Sequence, residues 1–533
     1  MSGQTRDRSA KGGARSSVVE AVLFDMDGVV TATAAAHATA WKQLFDALLE
    51  KRAHERGETF RPFDPDLDYR RYVDGKPRHD GIRSFLRSRR IELPDGSEDD
   101  DRGDETVCGL GKRKNACFHA WLEDHRVATF PGTLALIETL RTAGIKVAVF
   151  SASRNAEAVL RSAGVLDRFD AKVDGSDTAE LGLPGKPDPA ILHEAAARLG
   201  VAPQRCAVVE DAIAGIEAGA RGGYGLVIGV DRGAQEEELA TAGAHLVVGD
   251  LAELALEEGN RLAIKALDRL PSVWTCERTI RRRADGRRLA VFLDYDGTLT
   301  PIVDDPAQAN LCEDMRAAVV ALARRATAGI VSGRDLEDLR RRVGLTCVFL
   351  AGSHGFDIAG PKGWRETLQK GAAFLPDLDR AEAGLRKRLE RVVGATVERK
   401  RFAIAIHYRR VREDDLSRVE QSVDRVLEEC PRLHKGKGKK VFRLQPRVDW
   451  DKGRAVDWLL ERLELDRADV LPLYVGDDVT DEDAFRRLAG RGVTIAVRNG
   501  GHRTAADFAL ADPDDVRRFL EWLSAVTGED AAA

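Results

Sequence analysis

The sequence predicts an α/β protein built from two doubly wound, Rossmann-like cores in tandem. Three features predict it: two apolar runs that each end in Asp-x-Asp-Gly, the same ordered residues after each run, and β-rich runs alternating with helical stretches along 533 residues. The runs are VLFDMDGVV around Asp25 and VFLDYDGTLT around Asp294. A buried strand that stops at an aspartate puts that carboxylate at the carboxyl edge of a sheet, where open α/β folds bind ligands. Spacing excludes a calcium loop, which needs glycine at its sixth position, whereas Gly28 and Gly297 are fourth.

Further strands are expected at 145–150, 206–209 and 226–230, then at 328–331, 471–475 and 494–497. Each Asp-x-Asp-Gly is followed by a hydroxyl at a strand end, a lysine, and an acidic pair. In the first half these are Ser151, Lys186 and Glu210-Asp211; in the second, Ser332, Lys452 and Asp477-Asp478. Twenty-five residues separate Lys186 from Asp211, and 25 separate Lys452 from Asp477. From Asp25 to Ser151 there are 126 residues, but from Asp294 to Ser332 only 38. The next interval reverses this, with 35 residues from Ser151 to Lys186 and 120 from Ser332 to Lys452. A βαβ unit needs only a few tens of residues, so each half carries an insertion, at a different place.

The length exceeds one hydrophobic core and fits two large domains. A net charge of −5 is mild and does not suggest nucleic acid as a partner. Seven scattered cysteines without paired metal spacing point to reduced thiols in a cytoplasmic protein. The apolar runs fall short of a membrane span, and residues 1–17 are polar, lack a signal-peptide core and are expected to be disordered. Residues 18–250 and 288–525 are the expected domains. Residues 251–287 are expected to be a helical connector, with 251–270 helical and the boundary within 271–287.

This constellation resembles the haloacid dehalogenase superfamily of phosphotransferases. The resemblance implies magnesium held by Asp25, Asp27 (through its carbonyl), Glu210 and Asp211, and by Asp294, Asp296 and Asp477. Phosphoryl charge repels a carboxylate nucleophile, so a shared cation is required when Asp25 or Asp294 attacks phosphorus. Asp27 or Asp296 would protonate the leaving oxygen and later activate water. Ser151 or Ser332 would bond the phosphoryl oxygens, and Lys186 or Lys452 would offset their charge.

The second half is similar to trehalose-phosphatases, through DYDGTLTPI (294–302), VSGR (331–334), AGSHGFDI (351–358), VERKRFAIAIHYR (397–409), WDKG (450–453) and GDDVTDEDAF (476–485). The similarity implies an α/β cap inserted after Ser332, about 357–445, that closes over a sugar. From Phe402 onward the alternation reads as an antiparallel strand with one wet face, and Glu398 and Lys400 share a face. In the family those two contact disaccharide hydroxyls, and Arg334 lies near the phosphate. His354 is either a pocket residue or a loop histidine. Relatives carry Glu-x-Arg-Pro where this chain has Arg443-Leu-Gln445-Pro446, which inverts the local charge.

The first half resembles the β-phosphoglucomutase-like branch, whose helical cap, here about 34–126, precedes the first hydroxyl. The matching residues are Asp25, Asp27, Thr33, His37, Arg78, the run Ser151-Ala-Ser153-Arg154-Asn155, Lys186 and Glu210-Asp211, with Ala32 where relatives have aspartate. The branch implies that His37 couples cap closure to Asp27 and that Arg78 holds a second, non-transferring phosphate. Mutase, phosphatase and non-catalytic scaffold remain open for this half. Gly109-Leu-Gly111 lacks the strand-to-helix context of a dinucleotide site. The implied ligands are phosphorylated sugars.

Overall fold

The computed structural model describes residues 18–529 except 66, 74–77, 234, 304–307, 368–370, 372, 439 and 449. The leader expected to be disordered lies outside the described residues. The chain divides into two compact units, Met1–Ile264 and Lys265–Ala533.

In the first unit, strands β1 (Ala21–Asp25), β2 (Lys146–Phe150), β3 (Ala171–Val173), β4 (Cys206–Glu210), β5 (Leu226–Val230) and β6 (Leu246–Val248) form one parallel sheet. Its order is β3-β2-β1-β4-β5-β6. β1, β4 and β5 are buried throughout, because helices cover both faces of a parallel sheet and near-continuous Val, Ile and Leu runs satisfy both. The insertion between β1 and β2 is helical: α1 (Ala34–Arg56), α2 (Arg78–Ser88) and α3 (Val107–Asp124). It has its own aromatic core, in which the Phe45 and Phe85 rings meet at a tilt with centroids 4.0 Å apart. Thr106 caps α3 by accepting a hydrogen bond from the Gly109 amide.

Residues 251–270 are not helical as expected. They open on a single 3₁₀ turn and form a hairpin of β7 (Leu254–Glu257) and β8 (Arg261–Ile264). Leu254 and Leu262 are buried while Glu257 and Arg261 are exposed, so the period is two. Gly259 and Asn260, with φ of +75° and +56°, make the turn that a continuous helix would forbid. The connector's one α-helix is Glu277–Ala284, inside the second unit.

The second unit is built on β9 (Arg288–Leu293), β10 (Thr327–Val331), β11 (Phe349–Gly352), β12 (Asp357–Ala359) and β13 (Arg365–Thr367). Strands β14 (Thr396–Lys400), β15 (Ala403–His407), β16 (Leu433–Gly438) and β17 (Val441–Pro446) form a separate four-stranded sheet. The chain then returns to the core with β18 (Val470–Gly476), β19 (Val493–Val497) and β20 (Phe508–Leu510). The core sheet runs β13-β12-β11-β10-β9-β18-β19-β20, with β12 and β13 antiparallel at its edge. The expected insertion start at 357 is therefore too early. Ser353 and His354 have φ of +52° and +57°, and the turn they make folds β12 back onto β11 within the core sheet. The stretch VERKRFAIAIHYR is a hairpin, with β14 and β15 paired from Lys400↔Ala403 to Thr396↔His407.

Every cysteine is free, and among the described residues no helix is long and apolar enough to cross a membrane.

Candidate active sites

Asp25 is the last residue of β1 and Glu210 the last of neighbouring β4, so both leave the sheet at one edge. Lys186 Nζ donates to Asp25 Oδ1 at 2.6 Å and also to Glu210 Oε1. Asp25, Glu210 and Asp211 offer carboxylate oxygens that all lie within 4.8 Å of one another. Burial, then the charge of Glu210, pushes Asp211 up to about 8. Burial also holds Asp25 well above the carboxylate range, against the opposing pull of Lys186.

The second unit repeats this arrangement. Asp294 follows the end of β9 and Asp477 follows the end of adjacent β18. Lys452 Nζ donates to Asp294 Oδ1 and to Asp481 Oδ1, both at 2.7 Å. Asp294, Asp477 and Asp481 form the matching cluster, and burial followed by the Asp481 charge pushes Asp477 up to about 7. A Cβ on Gly28 would stand 1.8 Å from Asp211 Oδ2, and one on Gly297 2.1 Å from Asp477 Oδ2. With φ of +81° and +86°, both positions require glycine for conformation and for clearance.

Asp481 is a residue the ordered motifs did not single out, and it takes the place of Glu210. Glu210 ends a strand and faces Gly215, where a Cβ would lie 1.8 Å from its Oε1. In the second unit the strand ends in Gly476, whose Cβ would lie 2.3 Å from Asp481 Cγ. The large and small residues have exchanged places across the same five-residue interval. Both Asp481 oxygens are already engaged: Oδ1 accepts from Lys452 and from Tyr474 Oη at 2.7 Å, and Oδ2 accepts from the Asp477 and Asp478 amides. Asp481 therefore anchors the lysine. Asp294 and Asp477 keep oxygens for a cation, as do Asp25 and Asp211. Crowded hard oxygen donors of this kind fit a divalent cation such as magnesium.

The hydroxyls are set alike. Ser151 Oγ accepts from the Ser153 amide and Ser332 Oγ from the Arg334 amide, each at 3.1 Å. The second aspartates are set differently. Asp296 is held by Arg334, with Nε to Oδ2 at 2.7 Å and Nη2 to Oδ1 at 2.5 Å. Asp27 instead accepts from Thr33 Oγ1, and His37 Nε2 stands 3.9 Å away.

His37 stacks on Phe118 with centroids 4.4 Å apart, and Lys114 Nζ lies 2.8 Å from its Nδ1. Lys114, only 4% exposed, was not singled out from the sequence. Burial, then the charge of Arg78, lowers it to about 7. Its signal was there: Leu110, Lys114 and Phe118 fall at four-residue spacing on the buried stripe of α3, where lysine is out of pattern. Arg78 Nη2 and Asn155 Nδ2 both donate to Asn115 Oδ1, at 3.0 and 2.8 Å. Asn115 thus joins the insertion to the Ser151–Asn155 loop. Ser153 Oγ accepts from the Asn155 amide, and the charge of Arg154 acts on Arg78.

In the second unit, His354 packs over Gly333, where a Cβ would lie 2.9 Å from its Cε1. Burial, then the charges of Lys452, Arg443 and Lys400, lowers it to about 3, so it is neutral. Glu398 pairs with His407, Oε2 to Nε2 at 2.8 Å.

A family model for trehalose-phosphatase matches residues 292–514, and one for haloacid dehalogenase-like hydrolases matches residues 19–223. Each half thus has the α/β fold of a haloacid dehalogenase-like hydrolase, with a parallel sheet flanked by helices. A trehalose-phosphate phosphatase of Mycobacterium leprae is 36% identical over 407 residues, covering 74% of this chain and 92% of that protein. The chain belongs to the trehalose-phosphatase family. A Mycobacterium tuberculosis protein described as an uncharacterized glycosyl hydrolase is 40% identical over 516 residues, 95% of this chain. The chain spans only 38% of that relative's length. A solved β-phosphoglucomutase from Clostridium difficile is 28% identical, with a TM-score of 0.34, over 44% of this chain and 92% of its own.

Proposed function

We propose that the second unit hydrolyses trehalose 6-phosphate to trehalose and phosphate. The observation that carries this reading is the buried Lys452 bonded to both Asp294 and Asp481 beside Asp477, in a chain of this family. Asp294 attacks phosphorus, forming a carboxylate–phosphorus bond as the bond to the sugar oxygen breaks. Asp296 delivers a proton to that oxygen, then takes one from the water that releases phosphate. Lys452 opposes the burial that raises the Asp294 carboxyl, and Ser332 would bond a phosphoryl oxygen. Bound magnesium, held by Asp294, Asp477 and the Asp296 carbonyl, would neutralise the phosphoryl charge. The four-stranded sheet with its helices is the cap of this unit. Asp294→Asn in the full chain should abolish phosphate release from trehalose 6-phosphate while circular dichroism stays unchanged. Activity near wild type would refute the assignment.

The first unit is proposed as a magnesium-dependent sugar-phosphate transferase with Asp25 as nucleophile and Asp27 as proton shuttle, and with α1–α3 as its cap. The Arg78–Asn115–Asn155 link favours a mutase, because it puts a cation on the insertion next to the core loop that follows Ser151. The test is interconversion of β-glucose 1-phosphate and glucose 6-phosphate by the Asp294→Asn chain, supplied with magnesium and a bisphosphate primer. Phosphate release without isomerisation would make this unit a phosphatase. Neither reaction would leave it a scaffold.

A further inference from the structure

The four-stranded sheet has one apolar face packed on helices and one polar face. Ile404, Ile406, Phe442 and Leu444 pack against the helices Leu375–Leu389 and Leu416–Glu429. Side chains alternate across a strand, so the opposite face presents Lys400, Glu398, Ala405 and Arg443. Glu398, Ala405, Arg443 and Gly436 lie directly opposite one another in register across all four strands. Arg443 thus stands between an alanine and a glycine. Among the described residues, a Cβ on Gly436 would meet nothing closer than Gln445 Oε1 at 3.8 Å, so no side chain of that strand crowds Arg443 there.

The tip of the hairpin is tied to the loop that carries His354. The amide of Arg401, at the tip of the β14–β15 hairpin, donates to both carboxylate oxygens of Asp335 at 3.2 Å. Ser353 Oγ donates to Asp335 Oδ1 at 2.9 Å, which pins the hairpin tip beside His354. Lys400, Arg443 and Lys452 all act electrostatically on the His354 ring. Lys452 is neutralised by Asp294 and Asp481. Among the described residues, neither Lys400 nor Arg443 has a carboxylate partner, and Glu398 on the same face is taken by His407. Two partly buried cations beside a neutral imidazole are electrostatically incomplete.

We propose that this face is an anion subsite, and that the substrate of the second unit carries a second anionic substituent, held by Arg443 and Lys400, besides the phosphoryl group attacked by Asp294. The proposal rests on the phosphatase reading above and refines it: trehalose 6-phosphate is turned over, and a sugar phosphate with a further anionic group is preferred. A planar guanidinium takes a phosphate or a carboxylate through two parallel bonds, with Lys400 adding a point charge.

The test uses the full chain carrying Asp25→Asn, so that turnover reports Asp294 alone. Phosphate release is measured on trehalose 6-phosphate, trehalose 6,6′-bisphosphate and the 6′-uronate of trehalose 6-phosphate. One or both doubly anionic substrates should show a kcat/KM about tenfold or more above trehalose 6-phosphate, mainly through KM. Whether the phosphate or the carboxylate benefits identifies the group. Arg443→Glu should remove the gain, and Arg443→Lys should keep part of it, which separates charge from folding. Equal kcat/KM for the three substrates, or a gain that survives Arg443→Glu, overturns the subsite and leaves the phosphatase reading standing. If all three disaccharides are inert, the trehalose reading fails instead. The subsite is then decided on fructose 1,6-bisphosphate against fructose 6-phosphate: a preference lost in Arg443→Glu sustains it, and no preference overturns it.

Discussion

Arg334 grips Asp296 through two parallel bonds of 2.7 and 2.5 Å, whereas Asp27, at the same position of the first motif, accepts from Thr33 and has His37 nearby. The fork fixes the Asp296 rotamer, so proton delivery requires the pair to loosen as substrate enters. Arg334→Lys keeps the charge and loses the fork. We expect kcat/KM for phosphate release to fall about ten- to a hundredfold, the worth of one charged two-pronged bond. An unchanged value would show that Asp296 needs no such orientation.

Asp481 should behave as an anchor. Lys452 is 3% exposed and Asp481 fully buried, so Asp481→Asn leaves a buried ammonium with only Asp294. Breaking one partner of a buried pair costs about 3 kcal/mol or more, and denaturant unfolding of the full chain should show that loss in the transition of the second unit. Phosphate release should fall with it. Adding Lys452→Met should recover much of the stability and none of the activity. If the double variant is no more stable than Asp481→Asn, the ion pair is not what Asp481 maintains.

Lys114 makes the first unit sensitive to pH. Its folded value of about 7 lies below that of an ordinary lysine, about 10.4 in an unfolded chain. The unfolded state therefore binds more protons between those values, and stability rises with pH through that window by up to about 1.4 kcal/mol per pH unit. Below about pH 7 the folded state carries the buried charge, facing Arg78, Asp27 and His37 over the rings of Trp41 and Phe118. Lys114→Met should stabilise α3 more at pH 6 than at pH 9, read by amide hydrogen exchange along that helix. The same gain at both pH values would mean that Lys114 does not titrate in this range.

Magnesium should stabilise both units, because Asp25 with Asp211, and Asp294 with Asp477, crowd negative charge that a cation relieves. The melting temperature of the full chain should rise on adding magnesium chloride, and a chelator should stop phosphate release reversibly. Asp477→Asn should lose the magnesium-dependent shift of the second unit without lowering its metal-free stability. A shift that persists in this variant would place the cation elsewhere.

Much of the fold was legible because it rests on local pattern. The β-rich runs at 145–150, 206–209, 226–230, 328–331, 471–475 and 494–497 are all strands, since a parallel sheet covered on both faces demands unbroken apolar runs. The hairpin at 254–264 was misread as helix because a short apolar segment carries little periodicity. Its Gly259-Asn260 turn was the local signal that should have decided it. An insertion start at 357 comes too early because β12 and β13 join the core sheet only through edge pairing, which no window of residues encodes.

By itself, then, the sequence determined the two cores, their repeated Asp-x-Asp-Gly edges, and the order of serine, lysine and acid along each half, because strand periodicity and motif order are properties of the chain. Only the tertiary structure decided which carboxylate holds each lysine. Glu210 arrives from a strand end and Asp481 from the turn after one, and an exchange of glycine for acid across five residues is invisible until both backbones lie at the same edge. The structure likewise decided that Lys114 is buried against His37 and that Arg443 shares a face with Lys400. Those relationships come from elements far apart in the chain, and only packing sets the distances through which their charges act.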